Sequence, residues 1–162
     1  MKISFRTEKA DRIFVISATL IFGLSLAVTT LDFVYLQGAF YNFNMVSVAG
    51  LLLFSIGIVL RIAGRITLGK YYSYGLRTLP DQKLVKHGIY KHIRHPITLA
   101  ASLYSTGIPL TFSSLYGFVL MLVLIPLFLY RIRIEEKMLV ERFGEEYLDY
   151  IKKTKRLIPF IY

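Results

Sequence analysis

Cysteine is absent from the 162-residue chain. Its absence excludes disulfides, a cysteine nucleophile and thiolate metal sites, and with them a secreted disulfide scaffold or a zinc ribbon. Acidic residues are scarce: 10 Asp+Glu stand against 20 Lys+Arg, a formal net charge of +10. Neither G-x-G-x-x-G nor G-x-x-x-x-G-K-[ST] occurs. A Rossmann dinucleotide site and a P-loop are therefore disfavoured, and any nucleotide-like cofactor must be held some other way. Charge itself is missing from two long stretches: residues 13 to 60 carry only Asp32, and residues 96 to 130 carry none.

What fills the chain instead is apolar. Hydrophobic residues make up 55% of it and charged ones 19%. A soluble domain of this length rarely carries so much apolar surface, and a nucleic-acid binder of this charge is normally far more polar. The two properties agree if the apolar residues lie in lipid and the basic ones at its surface, which makes membrane lipids, and not nucleic acid, the expected surroundings. The length predicts one domain, residues 1–162.

A spanning helix needs about 20 mostly apolar residues. The first uncharged stretch holds two, at about 13–36 and 45–62, joined by the turn-forming aromatic segment Gly38-Ala39-Phe40-Tyr41-Asn42-Phe43-Asn44. A cleaved signal peptide is the competing reading of the first run. It is disfavoured by the length of the run and by the lack of a small-residue cleavage pattern after it. The second uncharged stretch is about 50 Å long as one helix, too long for one crossing. Split near Thr111-Phe112-Ser113-Ser114, it becomes two short spans, 96–112 and 114–131, with bends expected at Pro109 and Pro126. The expected fold is therefore all-α and integral to the membrane, with about four transmembrane helices. All 20 basic residues then fall in the N-terminal tail, the 61–95 segment and the C-terminal segment. These lie on one face, which the positive-inside rule makes cytoplasmic, with both termini.

The polar segments supply the candidate chemistry. His87, His92 and His95 are close in sequence, but their spacing matches no zinc motif and Asp81 is the carboxylate nearest to them; a basic membrane-surface anchor is the plainer reading. Arg131 and Glu135 share a helix face at the end of the fourth span. As an exposed i,i+4 pair they are worth only about 0.3–0.5 kcal/mol. Their place at the mouth of the bundle suits them better to meeting a polar head group whose tail lies in lipid. Glu136 reads equally as a solvated charge. Asp32 reads as an interfacial residue that reaches water, and Tyr71, Tyr72 and Tyr74 as an interfacial belt.

Two blocks carry a resemblance. Residues 83–96, Lys83-Leu84-Val85-Lys86-His87-Gly88-Ile89-Tyr90-Lys91-His92-Ile93-Arg94-His95-Pro96, are similar to an LV-x-x-G-x-Y-x-x-x-RHP pattern. Arg131-Ile132-Arg133-Ile134-Glu135-Glu136, then Phe143-Gly144-Glu145-Glu146-Tyr147-Leu148-Asp149-Tyr150, are similar to R-x-x-x-EE followed by FG-x-x-Y-x-x-Y, extended by Leu157-Ile158-Pro159-Phe160. Both blocks, in order and flanking a hydrophobic hairpin, resemble the isoprenylcysteine carboxyl methyltransferases and their prokaryotic relatives.

The resemblance implies a membrane methyltransferase that uses S-adenosylmethionine without a Rossmann domain, through a cytoplasmic region at about 64–100 and 131–160. It implies cofactor contacts at Gln82, Lys83, Leu84, Val85, Tyr90, His95, Pro96 and Glu135, and a catalytic, substrate-binding role for Arg131. The sequence departs from the pattern at Thr98, where the family often has Tyr, and at Ala100, where Gly is common. The contact expected at Thr98 therefore involves a different side chain, in a wider or rearranged pocket.

Carboxylate methylation suits this residue set. A carboxylate of pKa about 3.5 is already ionised at neutral pH and needs no general base. The enzyme supplies alignment and removal of water from two opposite charges. The expected partner is a lipophilic carboxylate of the prenylcysteine type. A lipid-amine (phospholipid) methyltransferase is the enzymatic alternative. A membrane sterol reductase needs a longer chain, and a small non-catalytic transport or anchor protein more polar residues within its spans.

Overall fold

The computed structural model describes residues 2–37, 41–73, 75 and 81–157, with side chains from residue 9 onward except that of residue 37. Gly38, Ala39 and Phe40 of the expected loop, Tyr74, and Ile158, Pro159 and Phe160 of the C-terminal motif lie outside the described residues. Among the described residues six α-helices follow one another: α1 Lys2–Leu31, α2 Met45–Leu68, α3 Pro96–Thr111, α4 Leu115–Leu122, α5 Leu124–Phe143 and α6 Glu145–Lys153. Beyond helices, the described residues hold only an isolated bridge between Ile93 and Lys155.

Among the described residues, three stretches are long and apolar enough to cross a membrane: Lys9–Leu36, Met45–Tyr71 and Leu115–Phe143. Only 11%, 17% and 22% of their most apolar windows are buried. Large side chains such as Leu20, Leu52, Val59 and Leu115 are more than half exposed, as expected of surface that faces lipid. The remaining expected span is α3, whose 16 residues reach about 24 Å. It runs antiparallel along α2: Gly50 meets Leu110 and Thr111, Gly57 meets Ala100 and Tyr104, and Gly64 meets Pro96 and Ile97. A Cβ on Gly57 would lie 2.6 Å from the Tyr104 backbone nitrogen, and one on Gly107 2.6 Å from that of Phe54. In lipid the hydrophobic effect does not drive helices together, so close backbone approach at small residues is what holds such a pair.

Several expected boundaries move. The second span continues past 62 to Leu68, where Gly69 at φ +52° ends it. The fourth divides at Val123, because Pro126 has no N–H for the carbonyl one turn earlier. Pro109, by contrast, sits inside the last turn of α3 without breaking it. Its own carbonyl accepts from the Ser114 amide at 2.8 Å, within the turn that links α3 to α4. The helix of the fourth span then runs on from Arg131 to Phe143. Asp32 is buried at 7% exposure and does not reach freely into water. It opens a π-helical turn, Asp32–Gln37, whose Phe33 packs edge-on against Tyr41 and Phe112, ring centroids 5.1 and 5.4 Å away. That aromatic closure covers the end of α1.

At the opposite end, where the basic segments gather, packing resembles a soluble core. Tyr90, Ile93, Ile132, Tyr147 and Tyr150 are buried there. The chain after α6 pairs with the chain before α3: the amides of Arg94 and His95 donate to the carbonyls of Lys155 and Arg156 at 2.8 and 3.1 Å, and the Lys155 amide donates to His92 at 3.1 Å. This short pairing fixes the approach to α3 against the C-terminal segment.

Candidate active site

One cavity of about 480 Å³ lies between the helices and this cap, within the size range of small-molecule sites. Between the helices it is lined mostly by apolar side chains, Phe14, Ala18 and Phe22 of α1, Ala101 of α3, and Leu124 and Phe128 of α5, with Thr19, Arg61 and Ser105 among them. Its outer part is lined by the 71–75 turn, residues 82–85, Tyr90, and Tyr147 and Tyr150 of α6. Between the two stand His95, Arg131 and Glu135.

The residues expected from the motifs gather here. Gln82, Lys83, Leu84, Val85, Tyr90, His95, Thr98, Arg131 and Glu135 all border the cavity, although they come from segments some fifty positions apart. Pro96 does not. As the first residue of α3 it points its ring at Gly64 of α2 and is fully buried there, so its part is to start the helix and not to line the site. Tyr71 and Tyr72, read from the sequence as an interfacial belt, also border the cavity. Arg65 stacks over the Tyr72 ring at 4.7 Å and Lys70 over Tyr71 at 5.3 Å. These cations hold the rings at the cavity wall.

The charges form two connected sets. Glu136, expected as a solvated charge, is buried at 7% exposure. It accepts from Arg94 at 3.0 Å and from Arg156 at 2.9 Å. Arg94 also donates to the Ile151 carbonyl at 3.2 Å and to the Thr154 carbonyl, tying α5, α6 and the pre-α3 segment into one unit. His95 lies between the two acids, Nδ1 3.4 Å from Glu135 and Nε2 3.5 Å from Glu136. Burial opposes its charge, but the neighbouring Glu135 and Glu136 carboxylates prevail and push its pKa up to about 9. His95 is thus an imidazolium at neutral pH. His87 and His92 remain exposed on the surface.

Arg131 belongs to the second set. Its guanidinium is ion-paired with Asp11 of α1 and lies 4.6 Å over the Phe14 ring. The motifs offered no means of finding Asp11, because that residue precedes the matched region and its pairing crosses 120 positions. Tyr147 falls within a motif that assigns it no role. Its ring is 1% exposed, it borders the cavity, and its hydroxyl has no hydrogen-bond partner among the described residues. Tyr150, by contrast, donates to the Tyr90 carbonyl at 2.6 Å. Burial above all raises the pKa of all three phenols, that of Tyr150 to about 12. They are hydrogen-bond donors at neutral pH, not bases.

This donor set fits a methyl donor of the sulfonium type. The carboxylate of Glu135 suits a cation, and the Tyr147 hydroxyl is a buried donor without a partner among the described residues.

Comparison with known proteins agrees with the motifs. The sequence model of the family described as phospholipid methyltransferase matches residues 45–146. The chain is 36% identical over 121 residues to the protein-S-isoprenylcysteine O-methyltransferase of Saccharomyces cerevisiae, covering 73% of this chain and 51% of that protein. It is 34% identical to a probable enzyme of the same name from Oryza sativa, covering 72% and 62%, and 33% identical to that of Mus musculus, covering 71% and 42%. It therefore spans about half the length of the curated relatives it matches. Among solved structures, the eukaryotic intramembrane Ras methyltransferase ICMT superposes with a TM-score of 0.69 at 27% identity, covering 93% of this chain and 52% of that one. The chain is an integral membrane protein of the phospholipid methyltransferase family, related within it to the isoprenylcysteine carboxyl methyltransferases.

Proposed function

We propose that this protein transfers a methyl group from S-adenosylmethionine to the carboxylate of a lipophilic substrate such as a prenylated cysteine, with both termini and the polar end of the cavity facing the cytoplasm. The observation that carries this reading is the two-ended cavity. A mostly apolar chamber between membrane helices joins a charged, aromatic chamber at the basic end. An acceptor with a lipid tail and a water-soluble donor need those two environments side by side. The names of the relatives point to the same acceptor.

When bound, the cofactor supplies a methyl group made electrophilic by its sulfonium. The chain's own residues do the rest. Arg131, fixed by Asp11 and Phe14, orients the acceptor carboxylate through its guanidinium. The Glu135 carboxylate, at the cavity wall, offsets the positive charge of the donor. The apolar wall of Phe14, Phe22 and Phe128 excludes water, so neither charge is hydrated where they meet. The phenols hold their protons, and His95 is already protonated between Glu135 and Glu136. A carboxylate acceptor needs no general base.

The family description favours a second reading, methylation of a phospholipid amine. Equilibrium binding of S-adenosylmethionine to the detergent-purified protein, followed by labelled-methyl transfer, separates the possibilities. Micromolar binding and methyl incorporation into a prenylcysteine are expected. A folded protein that does not bind the cofactor would refute both enzymatic readings; label on the lipid amine alone would select the second.

A further inference from the structure

Two pairs of side chains interlock where α1 meets α5. Asp11 and Phe14 share a face of α1, and Phe128 and Arg131 share a face of α5, since each pair is three positions apart. Asp11 is ion-paired with Arg131, the Arg131 guanidinium carbon lies 4.6 Å from the centre of the Phe14 ring, and the Phe14 and Phe128 rings are 5.9 Å apart. Phe14, Phe128 and Arg131 line the cavity, whereas Asp11 is not among its lining residues and meets the guanidinium from outside it. The two charged side chains are only 15% and 18% exposed, so solvent ions screen their attraction little. The charge of Arg131 is thus balanced from the α1 side, independently of any acceptor.

The chemistry of the reaction gives that balance a use. A carboxylate oxygen bonds to the methyl carbon as the carbon–sulfur bond breaks; the electron pair of that bond stays on sulfur, and carboxylate and sulfonium both end neutral. The negative charge of the acceptor is therefore largest in the ground state and declines toward the transition state. An unbalanced guanidinium holds the ground state more strongly than the transition state, which tightens binding and raises the barrier. After transfer it would face a neutral ester as an uncompensated, poorly hydrated charge. We propose that Asp11 is a positioning residue of the acceptor site: its carboxylate offsets the charge of Arg131, so that the guanidinium aligns the acceptor carboxylate without overbinding it and lets the neutral ester go. This rests on the carboxylate-acceptor reading above. The plainer alternative is an ion pair that only ties α1 to α5, whose loss loosens the bundle and weakens every ligand alike.

The test is equilibrium binding of an S-prenylated cysteine, and of its methyl ester, to the full chain in detergent, together with steady-state methyl transfer to the carboxylate. The wild type is expected to bind the carboxylate less than about tenfold tighter than the ester. Asp11→Asn should tighten carboxylate binding about fivefold, leave ester binding within about twofold, and lower kcat about fivefold or more. Asp11→Glu, which restores the charge, should bring the carboxylate-to-ester ratio back to within about twofold of wild type. Carboxylate and ester affinities that weaken together in Asp11→Asn, or a ratio that does not move, overturn the role of Asp11, while methyl transfer to the carboxylate would still uphold the acceptor reading. A wild type that methylates no carboxylate overturns both. If Asp11→Asn does not fold, as judged by loss of S-adenosylmethionine binding, the wild-type ratio decides: a carboxylate preference above about tenfold overturns the proposal.

Discussion

Each ionisable side chain at the basic end takes its role from its partner. Arg131 on Asp11, His95 between Glu135 and Glu136, and Glu136 beneath Arg94 and Arg156 make a lattice in which most charges near the cavity are matched. Removing the Arg131 guanidinium should therefore cost methyl transfer far more than cofactor binding. Arg131→Ala is expected to lower kcat/KM at least a hundredfold while changing S-adenosylmethionine affinity less than threefold; equal losses would contradict a substrate-facing role. His95 gives a pH signature. Its folded pKa, near 9 against an ordinary 6.5, means that its contribution, about 3 kcal/mol by linkage, is fully present below pH about 6.5. That contribution is lost as pH rises through about 9. Thermal unfolding from pH 6 to pH 10 should show a falling Tm in wild type that is largely flattened in His95→Gln. Parallel curves for the two proteins would place the titration elsewhere. Motif matching found Arg131, Glu135 and His95, but not Asp11, because no local pattern relates residues whose helices meet only in the fold.

The helices divide by how they are held. α2 and α3 touch backbone to backbone through Gly50, Gly57 and Gly107, with Gly64 against the Ile97 side chain. α1 meets α4 through a Ser25 hydroxyl that donates to the Gly117 carbonyl at 2.7 Å, and α5 through the Phe14–Phe128 ring contact at 5.9 Å. The glycines of α2 recur every seven residues, a period that keeps one face of a helix toward one neighbour. That signal stands in the sequence, and from it the pairing with a close neighbour can be derived. A side chain at Gly57 must push the Tyr104 backbone away. Gly57→Val is expected to destabilise the detergent-solubilised protein by about 1–3 kcal/mol or more and to disturb ligand binding, since Tyr104 lines the cavity. At Gly23 on α1 an added Cβ would meet nothing within 4 Å, so Gly23→Ala should be neutral or slightly stabilising through helix propensity. Equal Tm losses in both variants would refute the close-packed α2–α3 seam. Elsewhere, proline explains the divided fourth span, but its consequences are not uniform. Pro109 falls in a last turn whose carbonyls are taken up by the 113–114 turn, whereas Pro126 falls near the start of α5, where the preceding helix has to stop.

At the scale of the whole molecule, an apolar bundle carries a polar cap, and the cap gathers the ion pairs that join distant segments. Orientation in the membrane is open to a direct measurement because the chain contains no cysteine. A single cysteine at exposed Asn42, in the turn between α1 and α2, should react with impermeant maleimide only from the non-cytoplasmic side. Labelling from the cytoplasm would reverse the orientation inferred from the basic residues. The class of protein, the approximate spans and the residues of the two motif blocks were determined by the sequence alone. Hydropathy and charge act locally: lipid sorts apolar runs from basic ones before any tertiary contact forms. The tertiary structure decided which charges are partners, that Asp32 and Glu136 are buried, that Pro96 turns away from the cavity, and that Tyr71 and Tyr72 turn toward it. Those outcomes depend on how helices distant in sequence approach one another, which is set by close packing at small residues and by pairing of charges across the cap, and neither is a property of any one segment.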